Sequence, residues 1–589
     1  MKFSSIFTRL KGMPSVALLA MACSAFGGVA SAAPFTWNGS GSNSLWSTGS
    51  NWVGGAAATT GSNLIFSGQL RTTNTNNLTL TTGSISFANT NAANTGFVLT
   101  GSTLSLSSGA KITTAQLLTG TGTVLETIAN DLKINGGGIT LAPSGTTGRA
   151  HNLLISGNIS NGTGTVGNNV TIASGSGAQV FLSGNNTNVG IYTVNSGAIL
   201  TTLGTSALNS QATVLNGTIN ANGGTLKLGP LSGTGVVTTS TTGLQNVVVT
   251  QNGASQFNGS ITDGSGTVAL TKNGTGNLTL SGTSSYTGDT TINAGALTLD
   301  ANSAISSASA VTINSGTLNY GRAGATTFAN ALNGSGTTGV FNITTSGTVG
   351  ISSAGNFGGT VNTGNSTTTF TGSIANATVN AGPSGSIYGT GTIGNLIAND
   401  GSTVSAGLAG GGVGTLTVGG YTVADANVST VFNITGSGTS APLAPGIAGT
   451  DYDTIVSAGT IDYGATGSGL VFDFSTSTGD AFQNWSSFKL LDFGIYTNFS
   501  SLDGSQLSTI DIGGAYDNLS FVNADQSRGI FIAQAGDQTV EFYAATGVLL
   551  IVPEPSSIIL AGLGVGLAGF RTWRSRRLKA ILNRAGSMA

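Results

Sequence analysis

Short runs of alternating apolar and polar residues, closed by glycine or asparagine, recur along most of this 589-residue chain. Alternation with a period of two gives a strand one apolar face, and glycine and asparagine favour the turns between strands. One repeated form reads Asn-x-Gly-[Ala/Thr]-[Ile/Leu] and begins at Asn195, Asn222, Asn293 and Asn314, and another reads Gly-[Thr/Ser]-Gly-Thr-x and begins at Gly120, Gly162, Gly264, Gly334 and Gly389. No single repeat could bury a core, so we predict an all-β chain of stacked coils, an irregular parallel solenoid.

The longest repeat unit, residues 274–299, combines two or three short strands with Gly and Asn turns. It resembles the autotransporter-associated β-strand repeat. Segments 389–393, 414–418 and 449–453 are similar to the distal region of the same exported proteins. The resemblance implies a right-handed parallel β-helix displayed at the cell surface or in an extracellular matrix.

The segment 552–589 has three consecutive parts: a motif formed by Pro553, Glu554 and Pro555, an apolar stretch at 556–570, and a basic stretch at 571–584. The prolines suit a helix start, so the apolar stretch should form a helix of its own. At ~1.5 Å per residue this helix is about 22 Å long, shorter than the ~30 Å hydrocarbon core, and its flanking cations stay cytoplasmic under the positive-inside rule. We therefore predict a C-terminal membrane-tail helix that acts as a transient tether.

The order of these parts resembles the PEP-CTERM sorting signal of Gram-negative bacteria, with Arg571, Arg574, Arg576 and Arg577 in the basic end. The resemblance implies an exosortase-type enzyme that cuts near the Pro-Glu-Pro motif. It also implies secretion machinery, transient anchoring in the inner membrane, and delivery to the cell surface or extracellular matrix.

Residues 1–32 have the pattern of a secretory signal peptide. Lys2, Arg9 and Lys11 precede an apolar stretch that should be helical, and the small residues Ala30 and Ala32 mark a cleavage site. The single cysteine, Cys23, lies inside this segment, so the mature chain would contain no thiol. A lipoprotein signal centred on Cys23 is the alternative.

Aromatic residues crowd the start of the mature chain. Trp37, Trp46 and Trp52 are predicted to cap the first coil, and the alternative is an exposed set of rings that stack on sugars. We predict five segments: the signal peptide at 1–32, a capping β region at 33–90, the β-helix repeat region at 91–420, a β-rich C-terminal module at 421–550, and the sorting tail at 552–589.

Ionisable residues are scarce and scattered. Between residues 33 and 552, nine Lys and Arg stand against nineteen Asp and Glu, a formal charge of −10 that disfavours nucleic acid as a partner. His151 is the only histidine, and we expect it in a solvated loop, with no second imidazole or thiol to complete a transition-metal site. The acids of the repeat region are far apart in sequence: Glu126, Asp131, Asp263, Asp289, Asp300 and Asp400. We therefore expect neither an enzyme nor a cofactor.

The C-terminal module is richer in aspartate. We expect Asp451, Asp453 and Asp462 to be solvated at the surface, and the alternative is that they supply oxygen ligands for Ca²⁺. Taken together, the sequence predicts a secreted, non-enzymatic solenoid with a structural or adhesive role in the cell envelope or matrix, and extracellular polysaccharide is its candidate partner. The alternative is a carbohydrate-binding or carbohydrate-cleaving β-helix.

Overall fold

The computed structural model describes residues 34–89, 95–116, 122–145, 149–163, 167–175, 177–205, 207–209, 211–435, 446–463, 467–475, 487–497, 504–510, 516–525, 527–536 and 538–553. The chain forms two compact units. The first runs to Thr250 and includes Gly259–Val268, and the second contains Gln251–Asn258 and the chain from Ala269 onward. Within the described residues the secondary structure consists of strands and three short 3-10 turns, at Gly49–Asn51, Gly504–Gln506 and Ala544–Thr546.

The strands are short, and most contain three to seven residues. The first twenty-six are β1 Phe35–Trp37, β2 Leu64–Ser67, β3 Thr73–Asn76, β4 Thr81–Thr82, β5 Ile85–Asn89, β6 Val98–Gly101, β7 Leu104–Leu106, β8 Ala110–Gln116, β9 Gly122–Ile128, β10 Leu132–Ile134, β11 Ile139–Ala142, β12 Arg149–Ile155, β13 Ile159–Asn161, β14 Val170–Ile172, β15 Gln179–Leu182, β16 Tyr192–Val194, β17 Ile199–Thr202, β18 Thr213–Leu215, β19 Thr218–Ala221, β20 Thr225–Leu228, β21 Leu231–Ser232, β22 Val236–Thr238, β23 Leu244–Thr250, β24 Ser255–Phe257, β25 Ser260–Ile261 and β26 Thr267–Asn273. The others are β27 Asn277–Leu280, β28 Thr290–Ile292, β29 Ala296–Leu299, β30 Val311–Ile313, β31 Thr317–Tyr320, β32 Thr326–Phe328, β33 Leu332–Asn333, β34 Val340–Ile343, β35 Thr348–Ile351, β36 Thr360–Asn362, β37 Thr367–Phe370, β38 Ser373–Ala381, β39 Ser386–Gly389, β40 Thr392–Ala398, β41 Thr403–Ser405, β42 Thr415–Val423, β43 Ser429–Asn433, β44 Thr454–Asp462, β45 Gly469–Asp473, β46 Ser487–Lys489, β47 Leu491–Thr497, β48 Leu507–Ile510, β49 Val522–Asp525, β50 Ile530–Ala535, β51 Gln538–Tyr543 and β52 Val548–Pro553.

Parallel sheets form the first unit. Their strand orders are β1-β2-β5-β8-β11-β14-β16-β18-β21, then β13-β10-β7-β4, and then β25-β22-β19-β17-β15-β12-β9-β6-β3, and β20 also pairs with β23. Apart from β1 and β2, which are consecutive, neighbouring strands within these sheets are two or three strands apart in sequence, so each turn of the chain adds one strand to each face. This is the pairing of a parallel β-solenoid.

The core of the first unit is a set of in-register stacks. One column consists of the fully buried residues Leu64, Ile85, Ile112, Leu141, Ile172, Val194 and Leu215, each paired with the next across adjacent strands. The alternating pattern places these apolar side chains inside and their neighbours outside. Each buried aliphatic side chain contributes about 1.5–3 kcal/mol relative to exposure to water.

The second unit combines parallel coils with one antiparallel sheet. Its parallel strand orders are β24-β27-β29-β31-β34-β36-β38-β40-β42-β44-β47 and β32-β35-β37-β39-β41-β43-β45-β48, and β28 pairs with both β26 and β30, which pairs with β33. The antiparallel sheet has the order β46-β52-β51-β50-β49. The strand content and the parallel coils confirm the predicted all-β solenoid, whereas the handedness, the signal helix and the tail helix stay predictions.

The tryptophans near the start of the first unit form a closed aromatic core. Trp37, Trp46 and Trp52 are at most 1% exposed, and Trp52 meets the other two edge-to-face at centroid distances of 5.2 and 5.8 Å. The indole of Trp46 donates to Asn74 Oδ1 at 2.6 Å, and that of Trp52 donates to the Trp46 carbonyl at 2.8 Å. Because the ring faces are covered, the alternative of an exposed sugar-stacking platform is wrong.

Glycines allow the coils to approach one another closely at their turns. A methyl group added at Gly276 would lie 1.9 Å from the carbonyl oxygen of Gly253, which is backbone and cannot rotate away. The Gly276 amide donates to the carbonyl of Gln251 at 2.9 Å, so this contact lies where one coil hydrogen-bonds to the next. At Gly253, by contrast, a methyl group would meet no atom within 4 Å.

We predict that Gly276→Ala lowers the free energy of unfolding by about 1–3 kcal/mol, because the new methyl group forces two backbones apart. Gly253→Ala, the matched control in the neighbouring turn, should change it by less than about 0.5 kcal/mol. Urea denaturation of the two variants measures the difference. Equal midpoints would refute the close-packing explanation.

Candidate functional site

A ladder of amide and hydroxyl side chains runs along the outer face of the sheet that contains β29, β31, β34, β36 and β38. Its members occupy one register column, since each is the Cα partner of the next: Thr298, Asn319, Asn342, Asn362 and Asn380. They are half-buried and alternate with the apolar residues of the core. The period of two thus produces both faces of the sheet from one sequence pattern.

Direct hydrogen bonds connect the ladder. Nδ2 of Asn342 donates to Asn319 Oδ1 at 3.0 Å, and Nδ2 of Asn362 donates to Asn342 Oδ1 at 2.9 Å. Nδ2 of Asn380 donates to Asn362 Oδ1 at 2.9 Å. At the other end of the ladder, Nδ2 of Asn319 donates to the Thr298 hydroxyl at 3.1 Å. Each amide has a second hydrogen and a second lone pair available for further bonds, so the face is an uncharged array of donors and acceptors.

A second ladder follows the turns of the Asn-x-Gly repeats. Nδ2 of Asn293 donates to Asn273 Oδ1 at 2.9 Å, and Nδ2 of Asn314 donates to Asn293 Oδ1 at 2.7 Å. The motif that predicted turns at Asn293 and Asn314 therefore also stacks its asparagines from coil to coil. The longer ladder was not predicted, because its members lie 18 to 23 residues apart and the spacing varies.

Lys272 is buried beneath these turns. Its side chain is fully buried, and Nζ donates to the carbonyls of Asn273 at 2.8 Å and Gly274 at 3.0 Å. Burial lowers the pKa of the Lys272 ammonium below its usual value. The residue therefore fixes a turn from inside and is not a surface cation that could contact a ligand.

The prediction for His151 is wrong. It lies in β12, not in a solvated loop, and it is 2% exposed. Its Nε2 is 2.6 Å from Oε1 of Glu126, a fully buried residue of β9 whose other carboxylate oxygen accepts the Phe97 amide hydrogen. Both side chains point into the coil interior, so the pair is a structural contact without access for a substrate.

Asp453 is the centre of a buried hydrogen-bond network. Its Oδ1 accepts the Gly414 amide at 2.9 Å, and its Oδ2 accepts the Ser405 hydroxyl at 3.1 Å and both the backbone and side-chain N–H groups of Asn433 at 3.0 and 2.6 Å. Burial raises the pKa of Asp453 to about 6, and these donated hydrogen bonds limit the rise. The carboxylate thus joins three segments of the second unit.

The aspartates of the alternative calcium site have separate partners. Asp451 Oδ2 accepts the Ile447 amide at 2.7 Å, whereas the oxygens of Asp453 face Gly414, Ser405 and Asn433. Among the described residues there is no group of three or more His, Cys, Asp or Glu side chains placed to hold a metal ion. The structure therefore gives no support to a calcium site at Asp451, Asp453 and Asp462.

The residues predicted to direct sorting lie almost entirely outside the described residues. Pro553 is the last residue of β52, where it pairs with Gln538. All the other predicted sorting residues lie outside the described part of the chain: Glu554, Pro555, Arg571, Arg574, Arg576 and Arg577, together with Ala30 and Ala32 of the signal peptide. In the part that is described, no helix is long and apolar enough to cross a membrane.

Asn342 is the best position for testing the outer ladder, because it both donates and accepts within it. Asn342→Ala removes two hydrogen bonds, and we expect the free energy of unfolding to fall by about 1–3 kcal/mol. Asn302→Ala, an exposed residue of the same unit, is the control and should leave the urea midpoint unchanged. A midpoint for Asn342→Ala equal to that of the control would show that the ladder adds no stability.

The Asp453 carboxyl should make stability depend on pH. Its pKa is about 6 in the folded chain, whereas an unperturbed aspartate, as in the unfolded chain, has a pKa of 3.8. Between these two pH values the folded state therefore holds a proton that the unfolded state has released. The free energy of unfolding should therefore fall by up to about 3 kcal/mol as the pH rises from 4 through 6. Urea denaturation from pH 4 to pH 8 measures this fall.

Asp453→Asn cannot titrate, so its stability should vary less over that window than the stability of the wild type. Asp289→Asn, which removes a carboxylate from an exposed position, controls for the change in net charge. If the free energy of unfolding varied with pH equally in the wild type and in Asp453→Asn, the pH dependence would not come from Asp453.

Two short segments match known family models. Residues 270–299 match the Passenger-associated-transport-repeat, and residues 552–577 match the PEP-CTERM protein-sorting motif. No curated protein and no solved structure shows significant similarity to the chain. The first match covers the whole repeat unit at 274–299 and also contains Lys272. The chain therefore carries a passenger-associated repeat and a PEP-CTERM motif, and the motif marks it for exosortase processing and export to the cell envelope or surface.

Proposed function

We propose that this protein is a non-enzymatic, right-handed β-solenoid that has a structural or adhesive role at the cell surface or in the extracellular polymer matrix. The observation that carries the proposal is the amide and hydroxyl ladder on the second unit, which belongs to a chain marked for export. The proposal includes the inner-membrane tether and the Gram-negative host predicted from the sequence.

The mechanism is multivalent contact. Neighbouring strands repeat at ~4.8 Å, so the ladder offers the same amide chemistry several times along one face. Sugar hydroxyls both donate and accept hydrogen bonds, and asparagine side chains do the same. Each contact alone is weak, but several on one rigid face bind together because later contacts form at high effective concentration.

A cavity in the second unit favours carbohydrate binding as the second candidate function. It has a volume of about 270 Å³, and its lining includes the half-exposed ring of Tyr388, the amide of Asn433 and the carboxylate of Asp473. An aromatic ring beside a few hydrogen-bonding groups is a common arrangement in binding sites. Glycoside hydrolysis uses a pair of carboxylates, and only Asp473 supplies one among the described lining residues, so the cavity favours binding over cleavage.

The proposed destination can be tested in the native host. We expect an antibody against residues 274–299 to detect the wild-type protein in the surface or matrix fraction. Mass spectrometry should show a C-terminus shortened to a point near Pro555. A chain in which Glu554 is changed to Ala should accumulate in the membrane fraction with its tail intact.

Asp289→Asn, a change in the body of the protein, serves as the control and should fractionate like the wild type. Recovery of the wild type with an intact tail in the inner membrane would mean a resident anchored protein, and the matrix role would then be wrong.

A further inference from the structure

Arg322 is an isolated cation in the second unit. No other Lys or Arg occurs in the sequence between Lys272 and Lys489. Its guanidinium Nε is buried and has no hydrogen-bond partner among the described residues, and no described carboxylate forms an ion pair with the side chain. A buried N–H donor of a charged group is costly unless an acceptor satisfies it. Arg322 therefore has an unused requirement for an oxygen acceptor.

Tyr320 has the same requirement two residues earlier. The side chain is 2% exposed, and its hydroxyl makes no hydrogen bond within the described part of the chain. The ring is held by edge-to-face packing against Phe328, with a centroid distance of 5.5 Å and an interplanar angle of 83°. The hydroxyl is thus fixed in position with its donor available.

Both side chains line one cavity of about 200 Å³. The other lining residues are Leu299, Ala304, Ile305, Ser307, Thr327, Phe328, Ala329 and Asn330. Ser307 and Thr327 are exposed, so the cavity is open to solvent. None of its described lining residues is acidic, so the guanidinium is its only full charge.

The wall of the cavity is firmly held. Nδ2 of Asn330 donates to the carbonyls of Ser306 and Ser309, each at 2.7 Å, and so fixes the loop between β29 and β30. The amide of Ser284 also donates to the Ala304 carbonyl at 2.8 Å. A cavity fixed in this way is preorganised, which reduces the entropic cost of binding a ligand.

We propose that Arg322 and Tyr320 bind an oxyanion in this cavity, and that the oxyanion is the carboxylate of a uronic-acid residue in an acidic polysaccharide. The planar guanidinium matches a carboxylate in a charge-assisted contact, and the tyrosine hydroxyl donates a further hydrogen bond. The volume suits one substituted sugar ring. The choice of an extracellular sugar rests on the proposed surface role, whereas the oxyanion site does not.

Calorimetric titration of the full chain tests the proposal, with galacturonic acid trimer as the probe and neutral galactose trimer and sodium sulfate as comparison ligands. We expect the acidic trimer to bind and the neutral trimer not to bind. Arg322→Gln should weaken binding by at least about tenfold, since a hydrogen bond to a charged group is lost. Lys133→Gln, an exposed cation of the first unit, is the matched control and should bind like the wild type.

Tyr320→Phe separates binding from folding. It should weaken binding of the acidic trimer by about tenfold or more, because the lost hydrogen bond has a charged carboxylate as its acceptor. Without ligand its melting temperature should be equal to or higher than that of the wild type, because the buried hydroxyl has no hydrogen-bond partner to lose. A lower melting temperature would overturn the claim that this donor is free for a ligand.

Binding of the neutral trimer as tight as that of the acidic one, or acidic-trimer binding unchanged in Arg322→Gln, would overturn the proposal. Sulfate binding that Arg322→Gln abolishes, without any binding of the acidic trimer, would retain the oxyanion site and overturn its assignment to a sugar. Failure of the titration leaves the fractionation result untouched, so the two proposals fail independently.

Discussion

Parallel pairing of each coil on the coil before it is the interaction on which the rest of the structure depends. Because the register is kept, Leu278 stacks on Leu297, and Leu297 stacks on Leu318, inside the second unit. The same register brings asparagine onto asparagine outside the sheet. A slip of one residue would turn every inner side chain outward, so the core and the outer ladder specify the same alignment.

The sequence was sufficient to predict the class of fold, because the alternation of apolar and polar residues is local and repeats many times. The turn motif at Asn293 and Asn314 was also visible, since asparagine and glycine favour turns for reasons that involve only a few neighbouring residues. The ladder from Asn319 to Asn380 was hidden. Its residues become neighbours only through strand pairing, and the irregular length of the coils removes any fixed period from the sequence.

The expectations that His151 and Asp453 are solvated were wrong for the same reason. His151 looked like a solvated residue because its partner, Glu126, is 25 positions away in the sequence. Asp453 looked like part of a surface acidic cluster, but it is buried with Ser405, which lies 48 positions earlier. Burial of a polar residue depends on whether distant segments supply hydrogen-bond partners, and local composition carries no record of that. Arg322 and Tyr320 differ from His151 and Asp453, because their side chains line a cavity and their buried donors have no hydrogen-bond partner among the described residues.

Strand β52 lies between β46 and β51, in the interior of its sheet, and its last residue is Pro553. The sorting motif therefore begins where the last strand of the sheet ends. A cut beyond Pro553 would take no strand out of this sheet, so every strand of the described part would remain in the processed chain.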